Sequence, residues 1–242
     1  MGNQGYWIPS KHLKAQDSHI ILSTFPKSGT TWIKTRCHSP SPCNPHNLVP
    51  FFDIQIYGDG NENPNLENLP NPHTFATHLL FSLLPPSITY SNSRIMYICQ
   101  NPSNELISCW YFFTNLCPKH NESNSIEELV KMFQEGTCGY GPFWDHVLEY
   151  WNKSLEKKDM ILLLNYEDLK EDIISQSIKL SDFLGSPFSE KERKRGVIED
   201  ISRLCSFRNL IELEVNKIED PVQGIPNNFL LGKGRWEMGL II

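Results

Sequence analysis

The 242-residue sequence has no apolar run approaching the ~20 residues that a membrane-spanning helix needs. Its opening stretch, MGNQGYWIPSKHLKAQDSH, lacks the apolar core of a secretory signal. Both absences point to a cytoplasmic protein with no membrane partner. Positive charge is short: 22 Lys and Arg face 28 Asp and Glu, for a net charge of −6. A general nucleic-acid binder needs a basic face, so that class of partner is excluded. Cysteine is too irregular for a disulfide framework, with seven residues and no repeated spacing. Cys37, His38, Cys43 and His46 crowd together, yet their spacing fits no established zinc site, and no metal is expected. No internal repeat is present.

What the sequence does hold is enough apolar residue, 39%, for one sizeable core. Apolar β-branched runs at 19–25, 94–99 and 160–164 read as buried strands, with a shorter one at 75–78. A helix opens at Thr30 and is stopped by the Ser-Pro pairs after residue 38. Further helices are predicted over 105–113, from a capping box at Ser125 through Phe133, and over 143–155. In the last, Val147, Leu148, Trp151 and Leu155 are expected to form one apolar face. A long helix runs from about Asp168 to Leu184, closed by Gly185. Another starts at Ser189. Residues 58–72 and the tail after Asn216 read as loops. Strands alternating with helices predict an α/β fold: a single domain over 1–242 with a central, mainly parallel sheet flanked by helices. Ligands of such sheets sit beyond the C-terminal strand ends. The polar segments PKSGTTW, QNPSN and NYED follow three of the strands and should converge there.

The first of these lies in TFPKSGTTWIK, residues 24–34. A strand ending before Pro26 and a helix starting at Thr30 give a phosphate-binding loop like a P-loop. The amides of Ser28, Gly29, Thr30 and Thr31 would face an anion at the helix N-terminus. Gly29 permits close approach, Lys27 adds a cation, and Trp32 offers a stacking face for a purine. The nucleotide-triphosphate loop, G-x-x-x-x-G-K-[ST], places lysine after glycine; here it comes before. No acidic strand end for magnesium lies nearby, which argues against a kinase. Taken alone, PKSGT also fits a capped helix after a proline turn.

TFPKSGTTWIK resembles the first signature of soluble sulfotransferases that use 3′-phosphoadenylyl sulfate (PAPS). NPHNLVPFFDIQIYG, FATHLLFSLLP, YICQNPSNELISCWYFF, PFWDHVLEYWNKSLE, NYEDLKED and LCSFRNLIELEVNK resemble segments of the plant cytosolic branch, in order. The resemblance implies PAPS as co-substrate, PAP as product, no metal, and a small hydroxylated acceptor of flavonoid, steroid, hydroxy acid or oxime type. It implies that Lys27 stabilises the leaving phosphate, that Ser28, Gly29, Thr30 and Thr31 hold the 5′-phosphate, and that Trp32 stacks on adenine. His78 takes the place of the general base and Ser108 that of a 3′-phosphate ligand. Tyr166, Cys205 and Phe207 fall where the family contacts adenine.

The chain also departs from the family. Gln100 stands where arginine is usual. The C-terminal signature reads Leu231-Gly232-Lys233-Gly234-Arg235-Trp236, with Gly232 for arginine beside the retained Lys233 and Gly234. Two lost charge-assisted hydrogen bonds would weaken 3′-phosphate binding by about 3–6 kcal/mol. The segment between 34 and 44 and both ends read as shortened, and no dimer motif is recognisable, so the oligomeric state stays open. Two functions follow: a sulfotransferase, or a non-catalytic copy with weak or no PAPS binding.

Overall fold

The computed structural model describes residues 13–37, 44–57, 64–67, 69, 71–116, 125–206, 209, 212 and 213. Strands β1 (Ile20–Thr24), β2 (Thr74–Thr77), β3 (Arg94–Cys99) and β4 (Ile161–Asn165) form one sheet in the order β2-β1-β3-β4. Every pairing is parallel, with Leu22 opposite Ala76 on one side and Met96 on the other. The α/β reading holds, and the strands lie within a residue or two of the expected runs.

The apolar runs are continuous because both faces of the sheet are covered. Side chains alternate across the pleat. Ile21, Phe75, Ile95, Tyr97 and Ile161 enter one core with Tyr150, Phe52 and Ile88. Ile20, Leu22, Met96, Ile98 and Leu164 enter the other with Ile33, Leu169 and Leu180. Helix α1 (Thr30–Cys37), after β1, therefore covers one face through Ile33. After α2 (Pro45–Leu48), α3 (Pro86–Thr89), α4 (Pro102–Leu116) and α5 (Ile126–Glu135), helix α6 (Phe143–Glu156) covers the opposite face through Tyr150. The connections leaving β1 and β3 thus part to opposite faces. The crevice between these two strand ends is the switch point where ligands of such sheets bind.

Two helix expectations need correction. Leu148, Trp151 and Leu155 are each more than half exposed, while Phe143, His146 and Tyr150 are buried. The core face of α6 is carried partly by a polar residue, which apolar periodicity cannot register. The long helix after β4 is two: α7 (Tyr166–Glu171) and α8 (Ile173–Phe183), parted at Asp172, whose carboxylate caps α8 by accepting from the Ser175 amide. At Ser125 the hydroxyl accepts from the Glu128 amide, as expected. A reciprocal capping box forms at Ser189, which opens α9 (Glu190–Lys194) ahead of α10 (Val197–Leu204). Most of the 58–72 loop, and the tail after Asn216, lie outside the described residues.

Candidate nucleotide and acid–base site

Each strand ends in a segment that reaches the crevice. After β1 the chain turns through Phe25–Gly29, with the Ser28 amide donating to the Phe25 carbonyl at 3.3 Å. Lys27 and Gly29 both take positive φ, 73° and 97°. At Gly29 a side chain is excluded twice: by that φ, and because an added Cβ would lie 2.6 Å from Cδ2 of Tyr166. Tyr166 at the end of β4 therefore packs directly on the loop. From β3, Gln100 donates through Nε2 to the Lys27 carbonyl at 3.4 Å. The Asn101 amide and the Asn104 side chain reach the Glu167 carboxylate, both at 3.1 Å. The segments PKSGTTW, QNPSN and NYED do converge.

The loop differs from its expected form in which donors remain. The Ser28 amide closes the turn, so Gly29, Thr30 and Thr31 are the amides facing the start of α1. Two hydroxyls are also engaged: Thr30 Oγ1 lies 2.7 Å from Thr24 Oγ1, and Thr31 Oγ1 3.2 Å from His46 Nε2. Lys27 Nζ sits 4.7 Å from the centre of the Phe112 ring. Burial pulls its ammonium down to about 8, offset by Cys109 and Glu105.

β2 brings in His78. Its Nδ1 lies 2.8 Å from the Thr24 carbonyl, an acceptor only, so Nδ1 carries the proton and Nε2 the lone pair. Burial holds the imidazole down at about 3, which keeps it neutral over the physiological range. The backbone is held as well: His146 Nε2 donates to the His78 carbonyl at 3.0 Å, while His146 Nδ1 lies 2.9 Å from the Tyr97 hydroxyl. This ties the candidate base to both β1 and α6.

Among the remaining expected residues, Ser108 is half-buried on α4, three residues after Glu105. Trp32 is half-buried, and one face of its ring carries the Arg36 guanidinium at 3.8 Å. Cys205 is buried, with Sγ directed at the Thr35 carbonyl at 3.7 Å. Phe207, Gly232, Lys233 and Gly234 lie outside the described residues.

Several site neighbours escaped the sequence reading. Lys34 is fully buried, 3.1 Å from His46 Nδ1 and 3.6 Å from the Phe51 ring centre. Burial pushes its ammonium well below the ordinary range. Glu105, also fully buried, accepts from Ser28 Oγ at 2.5 Å. For Glu105 the only signal was a charge at the head of an apolar helix, and for Lys34, in the polar segment TTWIKTRC, there was none. An apolar cavity of about 440 Å³ opens between α4 and α5, lined among others by Phe25, Trp110, Phe113, Leu129, Phe133 and Tyr140. The Tyr140 ring also packs 5.2 Å from that of His78, so the cavity lies one ring from the candidate base.

Comparisons with known proteins agree with this architecture. A sulfotransferase-domain family matches residues 17–228. Cytosolic sulfotransferase 14 of Arabidopsis thaliana is 40% identical over 243 residues, covering 93% of this chain and 70% of the relative. A flavonol sulfotransferase-like protein of Flaveria bidentis is 38% identical over 240 residues, covering 94% and 76%. The crystal structure of mouse sulfotransferase SULT7A1 complexed with PAP superposes with a TM-score of 0.73 at 21% identity, covering 96% of this chain and 81% of that one. That structure bears on the fold alone. Among the described residues no helix is long and apolar enough to cross a membrane.

Proposed function

Because the chain belongs to the sulfotransferase family, we propose that it moves a sulfuryl group from PAPS to a hydroxyl of a small lipophilic acceptor, acting as one domain. The single observation that carries this reading is the hydrogen bond from His78 Nδ1 to the Thr24 carbonyl. It joins a neutral base to the first residue of the phosphate loop and leaves Nε2 to accept a proton. The relatives named cytosolic are in line with a cytoplasmic location.

The residues present fit the 5′ end of the nucleotide. The Gly29, Thr30 and Thr31 amides and the Lys27 ammonium would hold the 5′-phosphate, with Tyr166, Trp32 and Cys205 toward the adenine. Bound there, PAPS supplies the sulfuryl group and a phosphate as leaving group. Lys27 would neutralise charge building on that phosphate. His78 Nε2 would take the acceptor's hydroxyl proton. The apolar cavity beside Tyr140 supports a lipophilic acceptor of flavonoid, steroid, hydroxy acid or oxime type.

The 3′ end fits less well. Gln100, in place of an arginine, is 3% exposed and shares its side chain between the Lys27 carbonyl and the Glu105 carboxyl. That observation favours a second reading, a non-catalytic copy with weak or no nucleotide binding. Calorimetry with PAP, followed by sulfate transfer to a panel of phenols and steroids, separates the two. Turnover supports the first, binding without turnover the second, and no binding at millimolar PAP removes the first. In the same assay Gln100→Arg with Gly232→Arg should tighten PAP binding.

A further inference from the structure

Glu105 lies beneath the phosphate loop, where a carboxylate would work against anion binding. It sits in the first turn of α4, with its backbone amide bonded to the Asn101 carbonyl at 2.9 Å and no exposed surface. Oε2 accepts from the Ser28 hydroxyl at 2.5 Å, and Oε1 receives Cys109 Sγ at 3.4 Å. Cys109 Sγ also lies 3.5 Å from the Pro26 carbonyl, and its single proton serves one acceptor at a time. The carboxyl thus anchors Ser28 directly, and it reaches Pro26 through Cys109 when Oε1 carries the acid proton and donates to Sγ. The titratable groups that face it are Lys27 from the loop, Cys109 from its own helix, and Tyr97 and Cys99 from β3.

We infer that Glu105 is a positioning residue that sets the charge of the phosphate loop: its carboxyl anchors Ser28 and has to carry a proton for an anionic group to bind above it. The inference rests on the nucleotide reading of the loop. An ionised Glu105 would cancel the charge of Lys27 and leave the loop without net attraction. As the neutral acid, Glu105 keeps the hydrogen bond to Ser28 and adds no negative charge beside the Lys27 ammonium. Burial supports this, because it raises the Glu105 carboxyl to about 8 and lowers Lys27 to about 8. Below that pH the pair carries one positive charge; above it the pair turns negative. Anion binding therefore weakens as pH rises through about 8, and binding above that pH draws a proton from solvent.

Glu105→Gln keeps the shape and removes the titration. PAP affinity of the wild type and of this variant should be measured by calorimetry from pH 6.5 to 9.5, in two buffers of different ionisation enthalpy. The two proteins should agree within about twofold at pH 6.5, and the variant should bind up to about tenfold tighter at pH 9, since one linked proton is worth a factor of ten per pH unit. Proton uptake at pH 9 should be about one smaller in the variant. Lys27 titrates in both proteins; the Glu105 charge raises its ammonium, so Lys27 deprotonates earlier in the variant and about tenfold is the upper bound of the gain. Parallel affinity profiles would overturn the inference. If neither protein binds PAP, the nucleotide reading fails, and infrared difference spectra still decide the state of Glu105. A protonated-carboxyl band at pH 7, lost at high pH and missing from the variant, supports the neutral acid; its absence at pH 7 overturns it. Should Glu105→Gln not fold, Ser28→Ala takes its place. Removing the donor that favours the carboxylate should move the loss of that band to higher pH, and an unmoved midpoint refutes the inference.

Discussion

At the scale of single residues, the site depends on groups held in states they would not adopt in water. His78 is neutral because it is dry, and its tautomer is set by the Thr24 carbonyl. His78→Asn should lower kcat for sulfuryl transfer by about 10²–10⁴-fold, the usual worth of a positioned base. PAP affinity in the same variant should stay within about twofold, because on the proposed reading the removed nitrogen serves the acceptor and not the phosphate. In the wild type, kcat should not fall as pH drops through 6.5, where an exposed histidine base would be protonated. A pH–rate profile from 5 to 8 checks this. Gly29→Ala meets both a positive φ and the Tyr166 ring. It should abolish PAP binding, and Tyr166→Ala added to it should recover only part, since the backbone strain remains.

At the scale of elements, short helices place the long-range contacts. Helix α7 begins at once after β4 because the Asn165 side chain accepts from the amides of Glu167 and Asp168, at 2.7 and 3.3 Å. That cap aims Tyr166 at Gly29 and Glu167 at Asn101. Asn165→Ala should cost about 1 kcal/mol in urea unfolding. It should also weaken PAP binding, whereas loss of the equally exposed cap at Asp172, which touches no loop residue, should affect stability alone. Asn165 and Asp172 are ordinary turn-formers in sequence. Their spacing hid the break between α7 and α8, because an apolar stripe continues across it.

At the scale of the whole molecule, buried titratable groups narrow the pH range of stability. His78 and His146 are held at about 3 and about 4. Unfolded histidine titrates near 6.5. Between those values the unfolded chain binds protons that the folded chain refuses, so stability falls as pH drops from about 6.5 toward 4. Glu105 acts with the opposite sign. Raised from 4.5 to about 8, it binds a proton in the folded state that the unfolded chain has lost, so its contribution falls as pH rises through that window. Melting temperatures across pH 4–9 should therefore decline on the acid side. The difference between Glu105→Gln and wild type should grow steadily from pH 5 to 8; a constant difference would contradict the burial of a titrating carboxyl.

The sequence by itself determined the sheet, the strand–turn–helix course of residues 24–34 and the family. Each is written locally: β-branched runs buried on both faces, a glycine that alone tolerates its φ and its neighbour, and a string of residues that must act together. Only the tertiary structure decided the charge state of the site. Glu105 under Ser28, Lys34 beside His46, and His146 behind His78 are brought together from 12 to 77 residues apart. Whether such a group is ionised depends on how much water and which partners the fold leaves it, and that is fixed only when the strands and helices have packed.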